Sequence, residues 1–221
     1  MKIIAIIQAR MNSSRLPGKV MMQILDRPLI EHMIIRVKKA KLLDEIWLAT
    51  SKNEVDNCLE SIAVNNNIYC FRGKEKDVLS RFETIINKRN PDLIVRLTGD
   101  CPLADPNLID LIVKFAMENI EKYYYVGNSL IPTFPDGLDV EVFTAKALLK
   151  ASKKSNHIDR EHVTPKIHKY HEKNKLNLNI GHFLGERDFS HLRLTLDEKE
   201  DFEIIKIIFE KLYPQNENFS W

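Results

Sequence analysis

Residues 2–7 read Lys2-Ile3-Ile4-Ala5-Ile6-Ile7, and residues 8–19 continue Gln8-Ala9-Arg10-Met11-Asn12-Ser13-Ser14-Arg15-Leu16-Pro17-Gly18-Lys19. An unbroken apolar run of strand length that opens into a polar, cationic segment predicts a buried strand leaving its sheet through a loop. Downstream, residues 28–43 predict an amphipathic helix with Leu29, Met33, Ile34 and Val37 on one side. A strand over 45–50 follows, then a helix over 54–64 with Asn53 as its N-cap. A strand over 68–71, a helix over 77–88, a strand over 92–98 and a helix over 106–119 opened by Pro106 complete the series. Such alternation predicts an α/β domain, mostly parallel, with helices on both faces of the sheet.

After residue 120 the rhythm is mixed. Strands are expected over 123–126, 138–143, 176–183 and 191–196, helices near 144–154 and 160–172, and a last amphipathic helix over 198–212. With no repeat or linker, residues 1–221 read as one domain: 1–120 a nucleotide-binding half, 121–221 an acceptor-binding half. Lys and Arg number 33 against 31 Asp and Glu, a net charge of +2, which excludes a global field for nucleic acid or an anionic membrane. No apolar run approaches the roughly 20 residues that span a bilayer, and no secretory leader is expected. Cys58, Cys70 and Cys101 lack CxxC spacing, so a reducing cytoplasmic compartment is the expectation.

In an open parallel sheet, ligands bind outside the carboxyl ends of the strands. Arg10, Arg15 and Lys19, spaced there by small polar residues, suit an anion with several oxygens, a triphosphate above all. The loop is no P-loop, because Ser13 stands where the first Gly belongs and Val20 where a hydroxyl is needed, and GxGxxG is absent. A solvated surface loop is the plainer reading of the same residues.

The segment Ile6–Lys19 resembles the N-terminal signature of the SpsF-type (spore coat polysaccharide biosynthesis) cytidylyltransferases, and more distantly CMP-Kdo synthetase and acylneuraminate cytidylyltransferase. Three further segments agree: Arg72-Gly73 through Asp77-Val78-Leu79, then Arg96-Leu97-Thr98-Gly99-Asp100-Cys101-Pro102-Leu103, then Phe134-Pro135-Asp136-Gly137-Leu138-Asp139-Val140-Glu141-Val142-Phe143. The likeness covers 1–165 well and the rest weakly. It implies a Rossmann-like sheet of the nucleotide-diphospho-sugar transferase (GT-A) type. It also implies Mg²⁺-dependent transfer of CMP from CTP to an acidic sugar or phosphorylated small molecule, within surface polysaccharide synthesis. The cytosine preference rests on this resemblance, not on residue spacing.

Arg10, Arg15 and Lys19 are therefore expected to stabilise charge, and Gln8, Ala9, Asn12, Ser13, Ser14, Gly73, Asp77, Thr98 and Gly99 to help bind the nucleotide. Asp100, after a strand, is expected to hold Mg²⁺ with Asp197. Asp197 equally suits the N-cap of the last helix, and Asp105 caps the helix at Pro106. Asp139 and Glu141, two apart on one strand face beside Asp136, are assigned to the acceptor, or else are polar residues of a half-exposed strand. Arg160 and His162 in Asp159-Arg160-Glu161-His162-Val163-Thr164-Pro165 either contact the acceptor or make structural hydrogen bonds.

His157 and His162 cannot share one helical face, and His168 with His171 lack further ligands, so zinc is not supported. Relatives of this type are often dimers, and Tyr123-Tyr124-Tyr125 either serves an interface or packs in the sheet. Two rival functions stay open: a GT-A-like glycosyltransferase consuming a nucleotide sugar, and a non-catalytic nucleotide-binding subunit of a polysaccharide assembly complex. The sequence Asp100-Cys101-Pro102 lacks the DxD of the first, and the full set of loop cations argues against the second.

Overall fold

A computed structural model describes residues 1–167 and 180–221. Along the chain, β1 (Ile3–Gln8) leads through the cationic loop to a short antiparallel ribbon, β2 (Gln23–Ile24) and β3 (Arg27–Pro28), and to α1 (Leu29–Val37). Then come β4 (Glu45–Ser51), α2 (Asn57–Asn65), β5 (Tyr69–Gly73), α3 (Val78–Arg89), β6 (Leu93–Thr98) and α4 (Pro106–Glu118). The remainder holds β7 (Tyr125–Gly127), β8 (Glu141–Thr144), α5 (Ala145–Ser152), α6 (His157–His162), β9 (Ile180–His182) and α7 (Lys199–Leu212).

The main sheet has seven strands in the order β5-β4-β1-β6-β8-β7-β9. Only β8 runs against its neighbours, β6 and β7; the other pairings are parallel. Both faces are covered, which is why β1 carries no polar alternation: Ile3, Ala5 and Ile7 pack toward α1, α2, α4 and α7, while Ile4 and Ile6 pack toward α3 and α5. The carboxyl ends of β5, β4, β1 and β6 therefore share one edge, and their loops meet there. Among the described residues no helix is long and apolar enough to cross a membrane.

Several boundaries differ from the sequence reading. The first helix stops at Val37, because the Lys41 and Leu42 amides donate to the Asp110 carboxylate of α4 at 2.9–3.0 Å. Asn53 caps nothing; its side chain donates to Glu75, and the helix begins as a 3₁₀ turn over Glu54–Asp56. The helix expected over 160–172 is interrupted after His162, where Val163 adopts φ 72° ahead of Thr164 and Pro165, and Pro disfavours helix in the residue before it. Residues 191–196 form one bridge, Asp136 with Arg193, rather than a strand, since the Leu194 and Leu196 amides go to carbonyls of two separate segments, Asp136 and Asp100. Tyr125 is fully buried and Tyr123 stacks on Phe115, so these rings pack within the fold. His168 and His171, with the ends of the helix and strand expected there, lie outside the described residues.

Candidate active site

A cavity of about 460 Å³ opens where the β1 and β6 loops meet. The loop leaving β1 supplies Gln8, Ala9 and Arg10 at its start, Ser13, Ser14 and Arg15 at its crown, and Lys19 where it returns. It is folded back by Gly18 N–H donating to Met11 C=O at 2.8 Å and anchored by Met11 N–H donating to Asp56 at 2.7 Å. Thr98, Gly99 and Asp100 form the wall after β6. Gly99 is required there: a Cβ would stand 2.8 Å from the Ala9 Cβ and 3.2 Å from the Gln8 carbonyl.

Lys19 is the hub. Its side chain is buried, and the ammonium spends all three donors, on Asp100 Oδ2 (3.0 Å), Asp197 Oδ1 (3.0 Å) and the Leu196 carbonyl (2.7 Å). Arg15 reaches the same Asp197 oxygen at 2.7 Å, and Arg193 the other at 2.8 Å. Burial works to raise the Asp197 carboxyl, but Lys19, Arg193 and Arg15 outweigh it and hold it below the usual range. Asp197 is not the helix cap: Glu198 caps α7, and the Asp201 carboxylate accepts the Asp197 and Glu198 amides. Two hard carboxylate donors on separate segments thus converge on one cationic atom, a donor type that suits a divalent ion, though here both are held by Lys19. No group of three or more His, Cys, Asp or Glu suited to a metal occurs among the described residues.

Other predicted site residues are placed differently. Asn12 turns away to Glu75, at 3.1 Å, and Gly73 and Asp77 do not line the cavity. Asp77 caps α3 by accepting Ser80 N–H and pairs with Arg160 at 2.9 Å. Arg160 also holds Glu83 at 2.8 Å, so it ties α6 to α3 through structural bonds. Its neighbours Glu161 and His162 do face the cavity, Glu161 pairing with Arg10 at 3.1 Å. Asp136 sits outside, bound by Arg193 at 2.7 Å. Asp139 precedes β8 instead of lying on it, so it does not share a strand face with Glu141. Glu141 is buried and fully engaged: Arg96, Tyr125 OH (2.7 Å) and Thr164 Oγ1 (2.8 Å) all donate to its carboxylate. Burial alone would raise its carboxyl, but Arg96 and the two hydroxyls keep it low.

Arg81, Arg96 and Glu161 are wall residues that motif reasoning missed. Arg81 had a visible signal: it lies three after Val78 and four before Ile85, on the apolar stripe of α3, where a charge needs a reason. Arg96 lies on β6 and donates from Nε to the Gln8 side chain at 3.0 Å.

A mostly parallel sheet with a cationic, carboxylate-bearing crevice at its carboxyl edge defines an α/β protein with a ligand site suited to anions. The family model for cytidylyltransferases matches residues 4–218, and the chain belongs to that family of nucleotidyltransferase enzymes. It is 36% identical over 218 residues to the spore coat polysaccharide biosynthesis protein SpsF of Bacillus subtilis, covering 95% of this chain and 87% of that one. Among solved structures it is similar to a cytidylyltransferase from Leptospira borgpetersenii, at 35% identity and a TM-score of 0.92, covering 100% of this chain and 90% of the other. It shares the fold of CMP:2-keto-3-deoxy-manno-octonic acid synthetase solved with CTP, at 16% identity and a TM-score of 0.71, covering 96% and 100% of the two chains.

Proposed function

We propose that the cavity binds CTP with Mg²⁺ and transfers CMP to an acidic sugar or phosphorylated small-molecule acceptor, releasing pyrophosphate, in surface-glycan synthesis. The observation that carries this reading is the convergence of Lys19, Arg15, Asp100 and Asp197 on one point beside the first loop. An acceptor oxygen attacks the α-phosphorus while the bond to the β-phosphate oxygen breaks. Negative charge then grows on the α-phosphoryl group and on the departing pyrophosphate. Arg10 and Arg15, oriented by Glu161 and Asp197, are placed to neutralise it with their remaining donors, and Lys19, whose three donors go to Asp100, Asp197 and the Leu196 carbonyl, does so by exchanging one of those partners for phosphate. Asp100 and Asp197 would hold Mg²⁺, which when bound supplies Lewis-acid polarisation of phosphate oxygens. Glu161 and His162 face the cavity, which supports the acceptor-side role already given to His162 and extends it to Glu161 in place of Asp136, Asp139, Glu141 and Arg160.

The test is pyrophosphate release from CTP over a panel of sugar acids and phosphorylated sugars, with parent protein and Asp100→Asn. Acceptor-dependent release that the substitution reduces by about 100-fold or more supports the reading. Sugar transfer without pyrophosphate points to the glycosyltransferase, and CTP binding without release over the whole panel to the non-catalytic subunit.

A further inference from the structure

We propose that Arg193 makes Asp197 a one-oxygen ligand and so selects Mg²⁺ over Ca²⁺; this rests on the reading of Asp100 and Asp197 as holders of a divalent ion. The two oxygens of Asp197 have different partners. Oδ1 meets Lys19 (3.0 Å) and Arg15 (2.7 Å), which both line the cavity, whereas Oδ2 accepts from Nη2 of Arg193 at 2.8 Å, outside the cavity lining. The cavity therefore reaches Asp197 through Oδ1, and Oδ2 is covered.

Arg193 is held in place by a clamp of its own. Its Nε and Nη2 donate to the two oxygens of Asp201 at 2.9 and 3.3 Å, and its Nη1 donates to Asp136 at 2.7 Å. Both of these carboxylates are anchored. Asp201 belongs to the capping box of α7 and accepts the Asp197 and Glu198 amides at 2.8 and 2.9 Å. Asp136 is fixed through its backbone, with its amide on the Leu192 carbonyl (3.0 Å) and its carbonyl on the Leu194 amide (2.6 Å). Gly137 takes φ 103° beside it and lies so close to that segment that a Cβ would stand 2.4 Å from the Thr195 nitrogen. A guanidinium presents its donors in a rigid planar fork, so carboxylates on three of its sides fix its plane, and with it the oxygen of Asp197 that it covers.

The choice of ion follows from coordination. Ca²⁺ takes roughly six to eight oxygens and accepts a carboxylate through one oxygen or both, whereas Mg²⁺ demands a near-ideal octahedron that the narrow bite of a two-oxygen carboxylate distorts. Restricting Asp197 to Oδ1 removes the two-oxygen mode, a loss that falls on Ca²⁺. Charge alone makes no such distinction, because Arg193 repels either divalent ion equally at a given distance.

The experiment is calorimetric binding of CTP in Mg²⁺, in Ca²⁺ and in EDTA to the parent and to Arg193→Lys, which keeps the charge and loses the fork. Thermal melts report folding; if Arg193→Lys does not fold, Asp136→Asn, which loosens the clamp from outside the cavity, decides in its place. The parent is expected to bind CTP about tenfold tighter with Mg²⁺ than with Ca²⁺, and the deciding variant to cut that ratio about fivefold by gaining affinity in Ca²⁺. A gain with one ion is not what a poorly folded protein gives. An unchanged ratio, or an equal change with both ions, overturns the proposal and leaves Arg193 a neutralising charge. A parent that binds CTP equally well in EDTA sinks the divalent-ion reading, and one that binds no CTP sinks the nucleotide reading, each distinct from a failure of Arg193.

Discussion

Lys19 shows how one side chain sets the charge state of a site. Its ammonium separates two carboxylates that would otherwise repel across the crevice, and it does so from a buried position where the interaction is weakly screened. Lys19→Met should weaken binding of Mg²⁺ with CTP by tenfold or more in calorimetry; unchanged affinity would remove Lys19 from the phosphate pole. Asp139 carries a pH dependence of the opposite character. Burial first, then Asp136 and Glu141, push its carboxyl up to about 6, with Arg96 opposing. The folded state thus holds this proton more tightly than the unfolded chain does. The penalty is absent below about pH 4, where both states are protonated, and reaches roughly 3 kcal/mol above pH 6, where both are ionised. Asp139→Asn should therefore match the parent in stability near pH 4 and exceed it increasingly up to pH 7, by urea unfolding. A gap that does not change with pH would contradict this placement.

At the scale of elements, the junction after α6 is held in strain. Val163, with φ 72° and ψ −60°, lies between the His162 carbonyl and the Thr164 amide that bonds to it at 2.9 Å, a γ-turn that side-chain-bearing residues rarely adopt. The fully buried Val163 side chain, the bond from Thr164 to Glu141 and Pro165 together keep Glu161 and His162 on the cavity wall. Both Val163→Ala and Val163→Gly should destabilise through lost packing, but Gly should be the more stable of the two by about 1 kcal/mol, the reverse of the ordinary order. Thermal melts of the pair decide this. Residues 219–221 depend on a different clamp: Arg36, a buried residue of α1, donates to the carbonyls of Ala104 and Phe219 at 3.0 Å and lies over the Phe219 ring. Arg36→Met should cost on the order of 3 kcal/mol and loosen residues 219–221 to carboxypeptidase digestion. An undiminished melting temperature would show that the clamp contributes nothing.

These elements also show which information is local. β1, the cap Asp105 and the cationic loop were legible because each is written in neighbouring residues, whereas Asp77, read as a nucleotide contact, is the cap of α3. The Asp136–Arg193 bridge and the engagement of Glu141 were not, since each is decided by partners far along the chain, and the γ-turn at Val163 was not because a β-branched residue gives no signal for positive φ. The paired acids around 139–141 looked like an acceptor site because period-two spacing says which residues share a face, not which of them another strand will consume.

For the molecule as a whole, the two halves suggested by the change of rhythm near residue 120 share one sheet. β6 pairs with β1 on one side and with β8 on the other, and Arg96 on β6 holds both Gln8 and Glu141. Glu141 in turn receives Tyr125 from β7 and Thr164 from the segment beyond α6. A buried ion pair of this kind adds little net stability relative to a well-packed apolar pair, but breaking one side of it is expensive. It also sits where the parallel strands meet the antiparallel β8. Glu141→Gln should therefore lower stability on the order of 3 kcal/mol throughout, because no boundary exists at which the loss could be confined. Native-state hydrogen exchange can read this directly at amides of β1 and β8. Both strands should open with the same free energy in the parent, and both should fall together in the variant. A drop confined to β8 would show that the mixed half opens independently of the parallel strands.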